Sequence, residues 1–146
     1  MKSINNIYKV YCLTDQFFQD KEDRARTDKT RQKWFDKRSL NDQAYFVLIF
    51  AQFEDFINKQ CDDLIKSKKR SPKWAYRRLW DSVDVDNLSF KKCVALLTDK
   101  GENDFREIID LYKIRCEIAH GKGYGPILVH TETAKIKELV KKIKKG

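Results

Sequence analysis

The feature that most restricts this chain is a run of large apolar residues at helical spacing in its first half. Phe46, Ile49, Phe50, Phe53, Ile57, Cys61 and Leu64 recur at steps of three and four. That period places side chains on one face of an α-helix. From Ala44 to Ala51 the segment is apolar nearly all round, which predicts a central helix packed on several sides. Ser39 or Asn41 stands where an N-cap is expected, and the predicted helix runs from there to about Ile65. The composition points to further helices as its packing partners. Five glycines and two prolines in 146 residues, with 41% hydrophobic and 36% charged, favour a mostly helical protein. The length suits a single domain, residues 1–146, with one core.

Other elements follow from the same reasoning. Ile7, Val10, Tyr11, Thr14 and Phe18 predict a first helix over about Ile4–Phe18, and a charged stretch from Asp20 to Arg38 follows it. Lys66 to Arg70 breaks into Ser71-Pro72, with proline suited to a helix start. A short helix carrying Trp74, Leu79 and Trp80 should follow, with both tryptophans expected as core anchors. Ser89 stands as a cap for Phe90–Leu97, and Gly101 separates that helix from one over roughly Asn103–His120. Gly121, Gly123, Gly125 and Pro126 form a loop. A last helix from about Thr133 carries Ile136, Val140 and Ile143 on one side. The expected fold class is all-α, a bundle of five or six helices with little or no sheet.

Four widely spaced cysteines (Cys12, Cys61, Cys93 and Cys116) fit neither a zinc motif nor a dense disulfide scaffold. A reducing, cytoplasmic setting is the expectation, with no metal and no cofactor. No segment resembles a signal peptide or approaches the ~20 apolar residues of a membrane span.

The helix from Asn103 ends in Arg115-Cys116-Glu117-Ile118-Ala119-His120-Gly121. At about 100° per residue, Ile108, Leu111, Tyr112, Ile118 and Ala119 fall within about 60° of Arg115. A guanidinium at the centre of an apolar stripe is costly unless paired. One reading is structural: the stem packs, the charge reaches water, and a cation suits the helix C-terminus. The other is chemical.

The segment Leu111–Gly121 resembles the signature of the HEPN superfamily, small all-helical domains many of which are metal-independent ribonucleases of toxin and antiviral systems. The family pattern is an arginine, four to six intervening residues and a histidine, often with a glycine after it. This chain supplies Arg115, four intervening residues, His120 and Gly121. It departs at Cys116, where asparagine, aspartate or histidine is usual. The helix containing Phe46 to Leu64 resembles the second long helix of those domains, which often carries an acidic residue. The resemblance therefore implies Glu54, in preference to Asp55, as the partner that orients Arg115; the alternative for Glu54 is a plain surface carboxylate. It also implies a homodimer in which motif helices face each other across a two-fold axis.

Those residue types suit RNA cleavage. The 2′-hydroxyl must lose a proton, the leaving 5′-oxygen must gain one, and the phosphorane charge must be stabilised. Histidine serves proton transfer near neutrality, and arginine offers a fixed cationic fork to phosphate oxygens. One histidine is not easily base and acid in the same turnover, whereas a dimer supplies two. On an ideal helix His120 lies about 140° from Arg115. The pair converges only if the helix distorts or a second subunit completes the site. Cys116 and Tyr124 are possible supporting residues, Cys116 as a buried filler and Tyr124 as a nucleotide contact. His130 reads as an ordinary loop or helix-entry residue.

Charge gives a second argument. The net charge is +9, and Lys66, Lys68, Lys69, Arg70, Lys73, Arg77 and Arg78 occupy a stretch with no acidic residue, interleaved with Trp74 and Tyr76. RNA is the expected partner, bound through Lys68, Lys69, Arg70, Lys73, Arg77 and Arg78. A solvated basic face is the bland alternative. An inhibitory acidic protein such as an antitoxin would exploit the same field. Lys135, Lys137, Lys141, Lys142, Lys144 and Lys145 decorate the last helix, a pattern also compatible with anionic lipid or a partner groove. The combined expectation is a metal-independent endoribonuclease of toxin or antiphage type, leaving 2′,3′-cyclic phosphate and 5′-hydroxyl ends. The alternatives are a catalytically silent HEPN module that binds RNA or mediates dimerisation, and a regulatory subunit that recognises an acidic protein.

Overall fold

Thr27 opens a helix that does not end until Lys69 in the computed structural model, which describes residues 2–122 and 125–144. The order is α1 (Lys2–Asp23), α2 (Asp28–Lys69), α3 (Trp74–Asp81), a short 3-10 turn (Val85–Asn87), α4 (Phe90–Leu97), α5 (Asn103–Ala119) and α6 (Val129–Ile143). No strand occurs among the described residues. The protein is all-α with six helices, as the periodicity predicted.

The start of α2 corrects the expected cap at Ser39 or Asn41, since both lie inside the helix. The Thr27 hydroxyl accepts from the Thr30 amide at 3.2 Å, and Asp28 adds an acidic group in the first turn. The chain has no glycine before Gly101 and no proline before Pro72, so from Asp28 onward nothing interrupts helical hydrogen bonding in the charged stretch. Charge there selects a solvated face. Local pairs such as Arg31–Asp28 at 3.3 Å and Gln32–Asp36 at 2.8 Å decorate it. Residues 20–38 are thus the end of α1, the turn Arg24–Thr27 and the beginning of α2.

That short turn makes α1 and α2 an antiparallel hairpin. Its register runs from Tyr11 against Tyr45 (ring centroids 5.6 Å apart) to Phe18 against Trp34 (6.3 Å). On α2, Phe46, Ile49, Phe50, Phe53, Ile57, Cys61 and Ile65 are all fully buried, and every other helix touches α2. Ile65 closes the row where Leu64 was expected; Leu64 is only half-buried. Phe50 meets Phe53, Phe90 and Tyr112 at 5.7, 5.8 and 6.2 Å. Tyr112 in turn stacks on Phe90 at 4.7 Å, joining α5 to α4. Ile108 and Leu111 of α5, and Val129, Ile136, Leu139 and Val140 of α6, complete the cluster.

Three further expectations need correction. The stretch 44–51 is not enclosed all round: Ala44 is exposed and Leu48 is 51% exposed, because Leu48 points away from Phe46 and Phe50, about 160° round the helix. Trp74 is not a core anchor. Trp80 packs on the core, and Trp74, six positions earlier, lies about 120° round the helix from it and is 62% exposed. Pro72 lies one residue before the N-cap Lys73, outside α3, and α6 begins at Val129 instead of Thr133, anchored by buried Ile127 and Val129. No helix among the described residues is long and apolar enough to cross a membrane.

Phe50→Ala should lower unfolding free energy by about 3–5 kcal/mol, whereas Leu48→Ala, two residues away, should stay within about 0.5 kcal/mol. Urea titrations of the two variants beside wild type test this. Equal losses would contradict the orientation of α2.

Candidate functional site

Ile108 and Leu111 are buried against the rest of the core and fix the rotation of α5. Arg115 lies one and two turns further along the same face, where the core thins out. Its side chain is 31% exposed, and Nη2 stands 3.5 Å from Oε2 of Glu54, itself 23% exposed. Glu54 directly follows Phe53, whose burial turns α2 so that the carboxylate sits at the margin of the apolar face. Of the two carboxylates weighed as partners, Glu54 faces Arg115, while Asp55 is exposed. The Arg115–Glu54 contact is long, beyond the ~2.7–2.9 Å of a strong charge-assisted hydrogen bond. Arg115 Nε is buried and has no hydrogen-bond partner among the described residues. The guanidinium is held in place with donor capacity unused.

Cys116 is half-buried beside Tyr112, one helical turn back. A hydrogen bond with Cys116, with burial adding to it, raises the Tyr112 hydroxyl above its ordinary pKa. Cys116 thus belongs to the packing edge of α5. All four cysteines are free thiols; burial pushes the Cys61 thiol, next to Cys93 in the core, up to about 12.

His120 is the C-cap of α5. The Gly121 amide donates to the Ile118 carbonyl at 3.0 Å, and the Lys122 amide to the Glu117 carbonyl at 3.0 Å. These two bonds form a Schellman closure. Gly121 has φ +67°, a left-handed conformation that costs glycine least. A Cβ there would meet nothing within 4 Å, so the requirement is conformational and not steric. The imidazole of His120 is exposed and hydrogen-bonds to no side chain among the described residues. Because α5 stays helical to Ala119, Arg115 and His120 are separated by about 7.5 Å of rise and about 140° of rotation. The helix does not distort to bring them together. Five surface clefts of about 180 to 640 Å³ are lined by neither residue. Tyr124 and Gly123 lie outside the described residues.

The basic stretch divides into two groups. Lys69 donates to the Val83 carbonyl at 2.9 Å, Arg77 faces Asp81 at 3.9 Å, and Lys66 pairs with Asp62 at 2.6 Å. Lys68, Arg70, Lys73 and Arg78 are exposed and have no carboxylate partner among the described residues. Among those residues no group of three His, Cys, Asp or Glu side chains could hold a metal ion.

One polar cluster was not foreseen. Arg38 of α2 grips Asp15 of α1 through Nε at 2.6 Å and Nη2 at 3.2 Å, and also bonds Gln19 and faces Glu22 at 3.6 Å. Tyr11 donates to Asp42 at 3.1 Å. His130, the second residue of α6, sits 2.7 Å from the Tyr8 hydroxyl through Nδ1 and 3.8 Å from Asp15 through Nε2. The cluster ties α1, α2 and α6 together, and Glu22 Oε2 is buried within it with no hydrogen-bond partner among the described residues. The available signal in the sequence was Asp15, a carboxylate in register with Ile4 and Tyr11 on the buried face of α1. Burial raises the Asp42 carboxyl to about 6, with Tyr11 and Arg38 opposing that rise and Asp15 reinforcing it.

Compared with known proteins, the chain matches no family model, no curated protein and no solved structure.

Asp42 binds its proton more tightly folded than unfolded, so its contribution to stability is fully present below about pH 4 and is lost as pH rises to about 6. Asp42→Asn should remove that contribution. Denaturant titrations from pH 4 to 8 should therefore show the variant gaining on wild type across pH 4–6. A variant that loses ground there would mean that Arg38 holds Asp42 ionised.

Proposed function

We propose that this protein is a metal-independent endoribonuclease of the HEPN type, with Arg115 and His120 as its catalytic residues in a homodimer. The observation that carries the reading is the pairing of unlike environments at the end of α5. Arg115 is held at the edge of the core with unused donors, and His120 is fixed at the helix cap with its imidazole in solvent. In this proposal His120 moves protons between the 2′-hydroxyl and the 5′-oxygen. Arg115, oriented by Glu54, takes the charge on the phosphorane oxygens. The two side chains diverge within one helix and line none of the five clefts described above. A second copy of α5 across a two-fold axis supplies the missing half, bringing His120 of one protomer toward Arg115 of the other. Dimerisation also creates the cleft and lets one imidazole act as base and the other as acid. The products are a 2′,3′-cyclic phosphate and a 5′-hydroxyl.

A toxin or antiphage effector of this kind needs restraint, and the net charge of +9 suits an acidic inhibitory protein. A second reading has its own support: the Arg115–Glu54 contact ties α5 to α2, as a structural clamp would, and Cys116 is engaged in packing. In that case the chain is a silent HEPN module that binds RNA or an acidic partner.

Total cellular RNA incubated with the purified protein in EDTA should be cut to fragments ending in cyclic phosphate. His120→Ala should lower the rate about 10²- to 10⁴-fold with unchanged circular dichroism and unchanged mass in solution. A folded wild-type dimer that cuts nothing, together with an Arg115→Ala variant that merely loses stability, would establish the clamp instead.

A further inference from the structure

Among the described residues, the most solvent-exposed aromatic side chains lie on α3, far in sequence from Arg115 and His120. At about 100° per residue, Trp74, Arg78, Ala75, Leu79 and Tyr76 succeed one another round an arc of about 200°, and all five are exposed. Trp74 is 62% exposed, Tyr76 60% and Leu79 63%. Burial alone would not leave three large side chains in water on an eight-residue helix. Trp80, on the opposite side, packs against the core and attaches α3 to the body of the protein.

Cations are placed directly against these rings. The Arg78 guanidinium lies 4.8 Å from the Trp74 ring centre, and Lys73 Nζ lies 5.9 Å from that of Tyr76. Lys68 and Arg70, at the end of α2, add two exposed charges without carboxylate partners. In sequence the nearest flanking carboxylates are Asp63, which is exposed, and Asp81, which faces Arg77. Asp62, Asp84 and Asp86 share a cleft with Lys66 and Lys69, whereas residues 64–80 include no acid. A cationic stretch with open aromatic faces is complementary to a polymer that alternates phosphates with flat π-systems.

We propose that α3 and the adjoining end of α2 form a docking platform for single-stranded nucleic acid, with Trp74 and Tyr76 stacking on bases and Lys68, Arg70, Lys73 and Arg78 meeting phosphates. A single strand fits better than a duplex, whose bases are already stacked and offer no free π-face. An acidic protein would meet the cations and leave the indole and phenol without matching partners. The platform deepens the ribonuclease reading by supplying a hold on substrate away from the reacting phosphate. It stands on its own as a binding site if that reading fails.

Oligodeoxythymidine of about 12 nucleotides is the probe, a length within the usual single-strand site size. It lacks the 2′-hydroxyl and so cannot be cut by the proposed chemistry, which separates binding from cleavage. Titration should quench tryptophan emission, and Trp74→Ala should weaken binding about 5- to 150-fold, with Trp74→Phe retaining most of the affinity. Arg70→Ala with Lys73→Ala should lower the slope of log affinity against log salt by about 1.4. Trp34 and Trp80 remain as internal reporters of an intact fold. Unchanged affinity in Trp74→Ala would overturn the proposal. So would a duplex of the same length binding as tightly, or polyglutamate competing as well as the oligonucleotide.

Discussion

Everything in this structure depends on the phenylalanine face of α2. Phe46, Phe50 and Phe53, with Ile49, Ile57, Cys61 and Ile65, present one continuous apolar strip that is removed from water along about five turns. The five remaining helices pack against it, and the shorter ones have little else to bury. The eight residues of α4 contribute Phe90, Cys93 and Val94 to that strip. Alone, a helix of that length would be marginal in water. Tertiary burial, far more than propensity, is what makes α4 helical.

The same strip positions the candidate site. Glu54 lies at its edge because Phe53 lies in its centre, and Arg115 reaches Glu54 because Ile108 and Leu111 turn α5 inward. The polar cluster around Arg38 performs a comparable task at the other end, where the apolar strip has run out. There α1 and α2 continue side by side beyond Phe46, joined by the bidentate Arg38–Asp15 contact and by Phe18 and Trp34. A buried carboxylate and guanidinium add less net stability than their geometry suggests. They do select one register for the hairpin, since a slip of one residue would leave Asp15 at 9% exposure without a partner.

Most of the element plan was legible in the sequence. The α4 span, the body of α5 and the α1 periodicity follow from three- and four-residue spacing and from caps. The glycine after His120 marked a helix end that the Schellman closure now explains. The reading failed where charge was taken as a boundary. Residues 28–38 are helical because a helix can solvate charges on any face that no neighbour covers, and only proline, glycine or a capping geometry ends it. Trp74 was misplaced for a related reason: residue type indicates a preference for burial, but two tryptophans about 120° apart on one short helix do not face the same neighbour. The Asp15–Arg38–Asp42 cluster was missed because Asp15 belongs to α1 while Arg38 and Asp42, one turn apart, belong to α2, and spacing within one helix does not say which residue of another it meets.

The sequence by itself determined that the chain is helical, where α2 has its apolar face, and that Arg115 and His120 occupy the end of one helix with a glycine stop. These are properties of local periodicity and of backbone conformations available to each residue. Tertiary structure decided which faces meet. It placed Glu54 rather than Asp55 against Arg115, left Trp74, Tyr76 and Leu79 in water, and united Tyr8, Asp15, Arg38 and His130 across three helices. Such pairings depend on how helices rotate and cross once apolar surface is buried, and that choice belongs to the packed chain as a whole.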